Sequence, residues 1–420
     1  MQVFKLGGAS IATVERIQQV AGLLQQYKED RLLVVISAMG KTTNALEKVA
    51  EAFFEERKED ALQLFEQVKQ HHLTAAKYLL VTHFNDALEQ MSQLFTEVEW
   101  SLYDQPVREF DYYYDQIVCC GELLSSTIIS AFLNEKGITN TWVDIRDILK
   151  TNNKFRVAGV DEAVTLQHIT TLLLPCFEDS NMVVTQGFIG ATDENETTTL
   201  GREGSDFTAA IMASLLQAES VTIWKDVPGV MSADPRLFPD ARLIEHLGYE
   251  EVIEMAYYGA QVIHPKTIKP LYNNRIPLFV RCFLDPSLPG TVIHTKSDKF
   301  LPPIIVVKQD QVLLRLQSKD FSFVGEKEMS VLYRLLKENK ERANLIQAGA
   351  VSIMVCVDDR GARTDNFAAE AAAEFDVQIE KGLSLLTIRH YSQEIFEKLT
   401  EDKRLVLQQQ SEMTVQALMG

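Results

Sequence analysis

Several turns in this sequence carry residue types that bind phosphate or carboxylate groups. The first turn follows the strand-like run Val3–Leu6, where Lys5 is followed by Gly7 and Gly8 and then directly by a predicted helix. Paired glycines let the backbone approach a ligand, and the N–H groups of a helix N-terminus point toward an anion. A lysine in a buried strand is costly unless its ammonium meets an anion. We expect phosphate here, although Gly-Gly after a strand is as often only a tight turn.

A second turn follows the strand-like run Leu32–Ser37 and has the sequence GKT at positions 40–42. A Walker A motif would need glycine at position 35, where this chain has Val35. Two interpretations remain. The turn is either a capped connection with Thr42 or Thr43 as N-cap, or a substrate-binding turn at the carboxyl end of a parallel strand.

The most informative stretch is TTLGREGSD at positions 198–206, which precedes the amphipathic helix predicted at Phe207–Leu216. Ser205 or Asp206 is suited to cap that helix. Capping does not require the two glycines or Arg202, whose planar guanidinium matches a carboxylate or a phosphate. The stretch therefore favours ligand binding over capping alone.

A further loop, dense in charge, follows the strand-like run Val221–Trp224 and reads KDVPGVMSADPR at positions 225–236. It is either a surface loop with two turns or part of a nucleotide site. A polyphosphate bound to an acidic chain needs local cations, and Lys225 and Arg236 are candidates.

Composition excludes several classes of function. The 420 residues are 46% hydrophobic and 24% charged, with a formal net charge of -18. This is an ordinary folded chain whose charge opposes binding to nucleic acid or an anionic membrane. No basic leader precedes the first strand, and we expect no membrane span and a cytoplasmic location. Five scattered cysteines without a CxxC predict neither a disulfide framework nor a zinc site.

The elements around these turns alternate between strand and helix, which predicts a parallel sheet covered by helices. Further strands are predicted at Thr141–Val143, Met182–Gln186 and Pro277–Arg281, and a second helix at Ala260–Asn273. A helical insertion is expected at about residues 45–120, chiefly packed into the core. A break at about 285–303 separates this region from a β/α module.

With these pieces in order, the sequence resembles the aspartate kinases of the amino-acid-kinase superfamily. The motifs that carry the resemblance are KLGGAS, SAMGKTTNAL, GEL, TTLGREGSD, WKDVPGVMSADPR and GAQVIHPKT, and they cover nearly all of residues 1–296. The resemblance implies a three-layer α/β/α kinase domain at 1–296 and a smaller α+β ACT-like regulatory region at 303–420. The tail after Ile388 is short for a complete second module, so we expect that module to be reduced. ACT-like modules usually pair, so the resemblance also implies a homodimer joined through the C-terminal region.

The resemblance also implies roles for individual residues. Lys5 and Asp206 would be catalytic, with Asp206 orienting Lys5. Aspartate would be bound by four residues, among which Arg202 clamps its α-carboxylate and Glu122 faces its α-ammonium: Thr43, Glu122, Arg202 and Ser205. The nucleotide would be bound by Lys5, Gly7, Gly8, Ser10, Lys225, Asp226, Met231, Arg236, Gln261 and Val262.

This chain departs from the usual family pattern at several positions. Ala9 stands where threonine is common, Glu203 where glycine is common, and Gln261 where a nucleotide-contacting lysine is common. In lysine-sensitive members, the first regulatory helix is followed by an aspartate and by a turn rich in side-chain oxygens that bind the effector. Here Asn344 replaces that aspartate, and Gly349 and Ala350 supply no side-chain acceptors. The departures predict weak or absent inhibition by lysine.

The predicted reaction is the transfer of phosphate from ATP to the side-chain carboxylate of L-aspartate. This carboxylate has a reference pKa of about 3.9, so it is ionised near neutrality and needs no general base. Magnesium is expected to arrive with ATP, because no carboxylate cage is visible and Mg²⁺ is often held through substrate phosphates. The alternatives are a superfamily kinase that acts on glutamate or acetylglutamate, or a non-catalytic amino-acid sensor.

Overall fold

The structure is a computed structural model that describes residues 1–260, 263–296 and 301–420. It comprises two compact units. The first unit consists of Met1–Val230, Leu243–Ile253 and Val262–Asp298, and the second of Met231–Arg242, Glu254–Gln261 and Lys299–Gly420.

The first unit is built on an eight-stranded sheet in the order β3-β4-β2-β1-β7-β9-β10-β8. Neighbouring strands are parallel except β9 and β10, which are antiparallel. The central strands are short apolar runs buried on both faces, as expected for a parallel sheet covered by helices. The strands are β1 (Gln2–Leu6), β2 (Leu32–Ile36), β3 (Thr141–Trp142), β4 (Met182–Gln186), β7 (Ser220–Lys225), β8 (His246–Gly248), β9 (Leu278–Cys282) and β10 (Thr291–His294), with a separate antiparallel pair β5 (Ile189–Ala191) and β6 (Thr197–Thr199).

Helices cover this sheet and form the insertion that the sequence predicted after β2. Within the insertion, Phe53, Phe65 and Val68 are buried in the main core, whereas Phe54 is partly exposed. The helices are α1 (Val14–Leu24), α2 (Thr42–Phe54), α3 (Lys58–Leu79), α4 (Phe84–Tyr103), α5 (Phe110–Val118), α6 (Cys120–Glu135), α7 (Ile145–Ile148), α8 (Glu162–His168), α9 (Leu174–Asp179), α10 (Gly204–Leu215), α11 (Tyr249–Tyr258) and α12 (Pro265–Asn274). The predicted helix at 260–273 thus begins later, at Pro265.

The second unit has a six-stranded antiparallel sheet in the order β12-β13-β11-β14-β16-β15. Its elements are β11 (Ile304–Ser318), α13 (Glu326–Glu338), β12 (Ala343–Ala348), β13 (Ser352–Asp358), α14 (Ala362–Glu374), β14 (Phe375–Arg389), α15 (Gln393–Thr400), β15 (Leu405–Gln410) and β16 (Thr414–Met419). The chain order from β11 to β14 is β-α-β-β-α-β, which confirms the predicted α+β region. Sequence inspection missed β12, because its residues had been assigned to an effector-binding turn.

One helical run tests the expectation that no segment could span a membrane. Among the described residues, Phe110–Glu135 is long and apolar enough to do so by composition, which the sequence analysis had not anticipated. Of its most apolar window, 89% is buried inside the structure. The run includes α5 and α6, and its apolar surface is accounted for by packing in the core of the first unit.

Candidate active site

A cleft of about 580 Å³ opens in the first unit at the carboxyl ends of β1 and β2. The carboxyl end of a parallel sheet is where ligands bind in α/β proteins. The cleft brings together turns that are more than 150 residues apart in the sequence. It is lined by Lys5, Gly8, Ser37, Ala38, Gly40, Thr43, Tyr114, Glu122, Arg156, Val157, Phe188, Thr199, Gly201, Arg202, Glu203, Gly204, Ser205 and Asp206.

Lys5 and Asp206 form an ion pair at the base of the cleft. The Lys5 Nζ lies 2.6 Å from the Asp206 Oδ1, and the two side chains are only 12% and 6% exposed. Lys5 comes from β1 and Asp206 from the first turn of α10, so the pair joins two segments that the sequence separates by 200 residues. The ion pair holds the ammonium in a fixed position.

The turns after β1 and β2 are locked to each other beside this pair. The Gly40 N–H donates to the Gly8 carbonyl at 3.0 Å, and a Cβ at Gly8 would lie 2.6 Å from the Ala38 carbonyl oxygen. Glycine is therefore required at position 8 by close approach of the two turns. At Gly7 a Cβ would meet only the Lys5 Nζ, at 3.2 Å, so backbone groups there border the lysine.

Ser10 and Thr42 have structural contacts that the sequence did not predict. The buried Ser10 hydroxyl donates to the Trp224 carbonyl at 3.0 Å, which ties the first turn to β7. Helix α2 begins at Thr42, and the Thr42 hydroxyl donates back to the Met39 carbonyl at 2.6 Å. Of the two interpretations of this turn, the one with Thr42 or Thr43 as N-cap is excluded, since Lys41 holds that position. Thr43 instead lines the cleft.

Glu122 is the buried carboxylate of the cleft. It lies in the first turn of α6 with 2% of its surface exposed, and its Oε2 has no hydrogen-bond partner among the described residues. Burial raises the pKa of Glu122 to about 8, an effect that a hydrogen bond from the Ala38 backbone and the charge of Lys5 reduce. An unpartnered buried carboxylate is costly without a cation, so this oxygen favours a positively charged ligand group.

The stretch 201–206 forms another part of the cleft wall. Glu203 adopts a left-handed backbone conformation with φ of 54°, and α10 begins at the next residue, Gly204. Ser205 and Asp206 therefore lie inside the helix, which excludes the less favoured interpretation that either residue caps it. At Gly204 a Cβ would lie 2.6 Å from the ring of Phe188, which requires glycine there. Arg202 and Glu203 are exposed on the rim of the cleft.

The remaining nucleotide candidates lie in three places. Lys225 ends β7, and Asp226 follows it with its Oδ2 3.4 Å from the Arg16 Nη1, a contact the sequence did not indicate. Met231 and Arg236 belong to the second unit, where the Arg236 guanidinium pairs with Asp234 and is 84% exposed. Gln261 and Val262 lie outside the described residues.

Several residues that line the cleft were missed by the sequence analysis. They are Tyr114, Arg156, Val157 and Phe188. Arg156 has φ of 65°, and its guanidinium lies 4.2 Å from the centroid of the Tyr114 ring. A non-glycine residue in this conformation is uncommon and marks a site worth attention, but it is not visible in a sequence. Only the packing of distant segments reveals these residues.

Glycine-rich turns, a buried lysine paired with a carboxylate and a rim arginine, all at the carboxyl edge of a parallel sheet, define a phosphate-handling α/β enzyme. The model of the amino acid kinase family matches residues 1–282. The chain belongs to this family and, within it, to the aspartokinases. Its sequence is 30% identical over 400 residues to lysine-sensitive aspartokinase 3 of Escherichia coli, covering 92% of this chain and 86% of that one.

Further relatives and solved structures to which the chain is similar are also aspartokinases. The chain is 35% identical over 69% of its length to the bifunctional aspartokinase/homoserine dehydrogenase 1 of Zea mays chloroplasts, of which it spans 32%. Two solved structures of E. coli aspartokinase III are similar over the whole chain at 28% identity. One, in complex with lysine and aspartate, has a TM-score of 0.84 and is covered to 95%; the other, with aspartate and ADP, has a TM-score of 0.81 and is covered to 96%.

Proposed function

We propose that this chain transfers the γ-phosphoryl group of ATP to the side-chain carboxylate of L-aspartate. The product is 4-phospho-L-aspartate, which leads toward lysine, threonine and methionine. The observation that carries the proposal is the cleft itself, which places the buried Glu122 and the rim Arg202 beside the Lys5–Asp206 pair. These groups match the ammonium, the carboxylate and the transferred phosphate of the two substrates.

In the proposed reaction a carboxylate oxygen of aspartate attacks the γ-phosphorus. The bond from that phosphorus to the β,γ-bridging oxygen breaks, and ADP leaves with the electron pair. No proton has to be removed, because the attacking carboxylate is already ionised near neutrality. Catalysis then depends on alignment and on neutralising charge, which the ammonium of Lys5 supplies from a position fixed by Asp206.

The substrate pocket would hold aspartate by its α-carboxylate and its α-ammonium. We assign Arg202 to the α-carboxylate, with Thr43 and Ser205 as hydroxyl partners, since all three line the cleft. Glu122 would face the α-ammonium, which provides the partner that its Oε2 lacks within the described residues. A free ammonium is required for this contact, so the pocket favours aspartate over an N-acylated substrate such as acetylglutamate.

The nucleotide would bind along the turn of Gly7 and Gly8, with Ser10, Lys225, Asp226, Met231, Arg236, Gln261 and Val262 as the other proposed contacts. Among the described residues, no group of three or more His, Cys, Asp or Glu side chains could hold a metal ion. We propose that Mg²⁺ enters with ATP, bound through phosphate oxygens, as is common for this ion.

The reaction is tested by trapping the acyl phosphate with hydroxylamine. Purified protein is incubated with ATP, Mg²⁺ and hydroxylamine, and with aspartate, glutamate or acetylglutamate in parallel. We expect hydroxamate with aspartate and at most a small fraction of that rate with the other two acids. Hydroxamate chiefly from another acid would assign the chain to a different kinase. Tight aspartate binding without any hydroxamate would identify an amino-acid sensor.

We further propose that the enzyme works in the cytoplasm as a homodimer joined through its second unit. In that unit β12 is an edge strand of the sheet, and an edge strand carries backbone groups that its own sheet does not pair. Phe321 and Phe323 are also exposed, at 70% and 80%. Exposed aromatic side chains beside an open edge are typical of an interface.

A further inference from the structure

Asp115 is a fully buried carboxylate that the reaction proposed above does not use. It lies on α5, with 0% of its surface exposed, and it does not line the cleft. Its Oδ2 accepts the backbone N–H of Thr199 at 2.8 Å and that of Arg156 at 2.9 Å. Its Oδ1 accepts the hydroxyl of Thr199 at 2.7 Å.

These three hydrogen bonds join two separate segments of the cleft wall. Thr199 ends β6, and Arg156 lies in the loop that follows α7. The two segments are also bonded directly, since the Ala158 N–H donates to the Thr199 carbonyl at 3.0 Å. Both backbone groups of Thr199 are thus held, and Arg202 follows only three residues later.

The residues that follow Thr199 are also held by close contacts, and they lead to the substrate pocket. The Leu200 N–H donates to the Phe188 carbonyl at 2.8 Å. At the next residue, Gly201, a Cβ would lie 3.0 Å from the Arg156 carbonyl oxygen, so the two walls are in close contact there. A shift of Thr199 would therefore move the segment that carries Arg202 and Ser205.

The partners of Asp115 distinguish it from an ordinary structural ion pair. All three of its donors are neutral, and the guanidinium of Arg156 instead lies 3.5 Å from Glu47 and 3.4 Å from Asp111. Burial raises the pKa of Asp115 to about 6, despite these hydrogen bonds. The chain thus keeps a desolvated carboxylate where a cation is not its partner, which is costly unless its acceptor oxygens are needed.

We propose that Asp115 is a positioning residue for the phosphoryl acceptor. By holding the amides of Thr199 and Arg156, it fixes the wall that presents Arg202 to aspartate, and it leaves the nucleotide turn of Gly7 and Gly8 unaffected. This inference rests on the proposed function and goes further by naming the group that sets the affinity for aspartate.

The test compares four variants for the Michaelis constants of aspartate and ATP. Asp115→Ala removes all three acceptor contacts, and Thr199→Val removes only the hydroxyl contact. Asp115→Asn keeps an oxygen for both amides and offers an N–H to the Thr199 hydroxyl, so it should restore the geometry. Asp86→Ala is the control, because Asp86 lies on α4, is exposed and does not line the cleft.

We expect Asp115→Ala to raise the KM for aspartate by about tenfold or more and the KM for ATP by less than about twofold. Thr199→Val should show a smaller rise with the same split, and Asp115→Asn and Asp86→Ala should stay near the wild type. Equal rises in both constants would show a general structural role and overturn the proposal. So would wild-type constants in Asp115→Ala.

Calorimetric titration of aspartate into nucleotide-free protein separates this inference from the proposed function. If the wild type binds aspartate but makes no acyl phosphate, the proposed function fails while the variants still report on Asp115. If the wild type is active and Asp115→Ala binds aspartate as tightly as the wild type does, the positioning role is wrong and the proposed function stands. If Asp115→Ala does not fold, the Michaelis constants and aspartate titrations of Thr199→Val and Asp115→Asn test the positioning role instead.

Discussion

The ammonium of Lys5 and the carboxylate of Asp206 lie 2.6 Å apart at the base of the cleft, and both side chains are nearly buried. Each charge compensates the other, and removal of one leaves an unpaired buried charge. This relationship changes how the lysine should be tested. A single substitution alters both the chemistry and the stability of the first unit.

We predict that Lys5→Ala lowers kcat by about a hundredfold or more and also lowers the melting temperature. The double variant Lys5→Ala with Asp206→Asn should recover much of the melting temperature, because no buried carboxylate is left unpaired. It should not recover kcat, since the phosphate still lacks its ammonium. Steady-state kinetics and thermal unfolding of both proteins check this, and a kcat near the wild-type value in either would exclude the role of Lys5.

Arg202→Lys keeps the positive charge but loses the planar guanidinium that binds a carboxylate through two hydrogen bonds. We expect a strong rise in the KM for aspartate and little change in that for ATP. Arg57→Lys is a suitable control, because Arg57 is exposed and pairs with Glu55 and Asp60 away from the cleft lining. A loss of ATP affinity in Arg202→Lys would place Arg202 at the nucleotide instead.

The pKa of Glu122, raised by burial to about 8, predicts a pH-dependent affinity for aspartate. Only the ionised form can pair with the ammonium, so protonation competes with binding below that pKa. Affinity should rise with pH between about 6.5 and 8.5, by up to about tenfold for each pH unit below the pKa. Titrations in buffers of different ionisation enthalpy should detect proton release on binding.

Glu122→Gln is the control for this pH profile. It cannot ionise, so its aspartate affinity should be weak and nearly independent of pH over the same range. An equally steep profile in Glu122→Gln would assign the titrating group to another residue.

Inhibition by lysine is expected to be weak, with a half-maximal concentration above about 1 mM. The side-chain oxygen of Asn344 accepts the ammonium of Lys308 at 2.7 Å, and its amide donates to Gln311 and Asp358. Asn344 is thus already bonded within its own unit. Activity assays with lysine, threonine and methionine titrations check this prediction. Half-inhibition by lysine below 1 mM would mean that backbone groups alone bind it.

A dimer is expected at micromolar protein concentration. Light scattering coupled to size exclusion should give about twice the chain mass of 47.5 kDa. Replacement of the exposed Phe321 and Phe323 by serine should weaken the association, whereas the same change at Tyr78, exposed on the first unit, should not. A fully active monomer would contradict the proposed assembly.

The sequence predicted the local part of this structure well. The strand at Met182–Gln186 has the predicted bounds, because apolar periodicity and end signals are local. The helix predicted to begin at Phe207 begins at Gly204 instead. It is preceded by Glu203 in a left-handed backbone conformation, which is uncommon for a residue other than glycine. Asp115 was missed, because its function depends on Thr199 and Arg156, which reach it only after folding.

The long pairing of β11 with β14 has a consequence for shortening the chain. Strand β14 pairs with β11 on one side and, at Ser384–Arg389, with β16 on the other. A chain ended after residue 404 would lose β15 and β16 and leave the run SLLTIR as an open edge. Such an edge recruits strands from other molecules. The last sixteen residues therefore protect the protein from aggregation, whether or not they bind any effector.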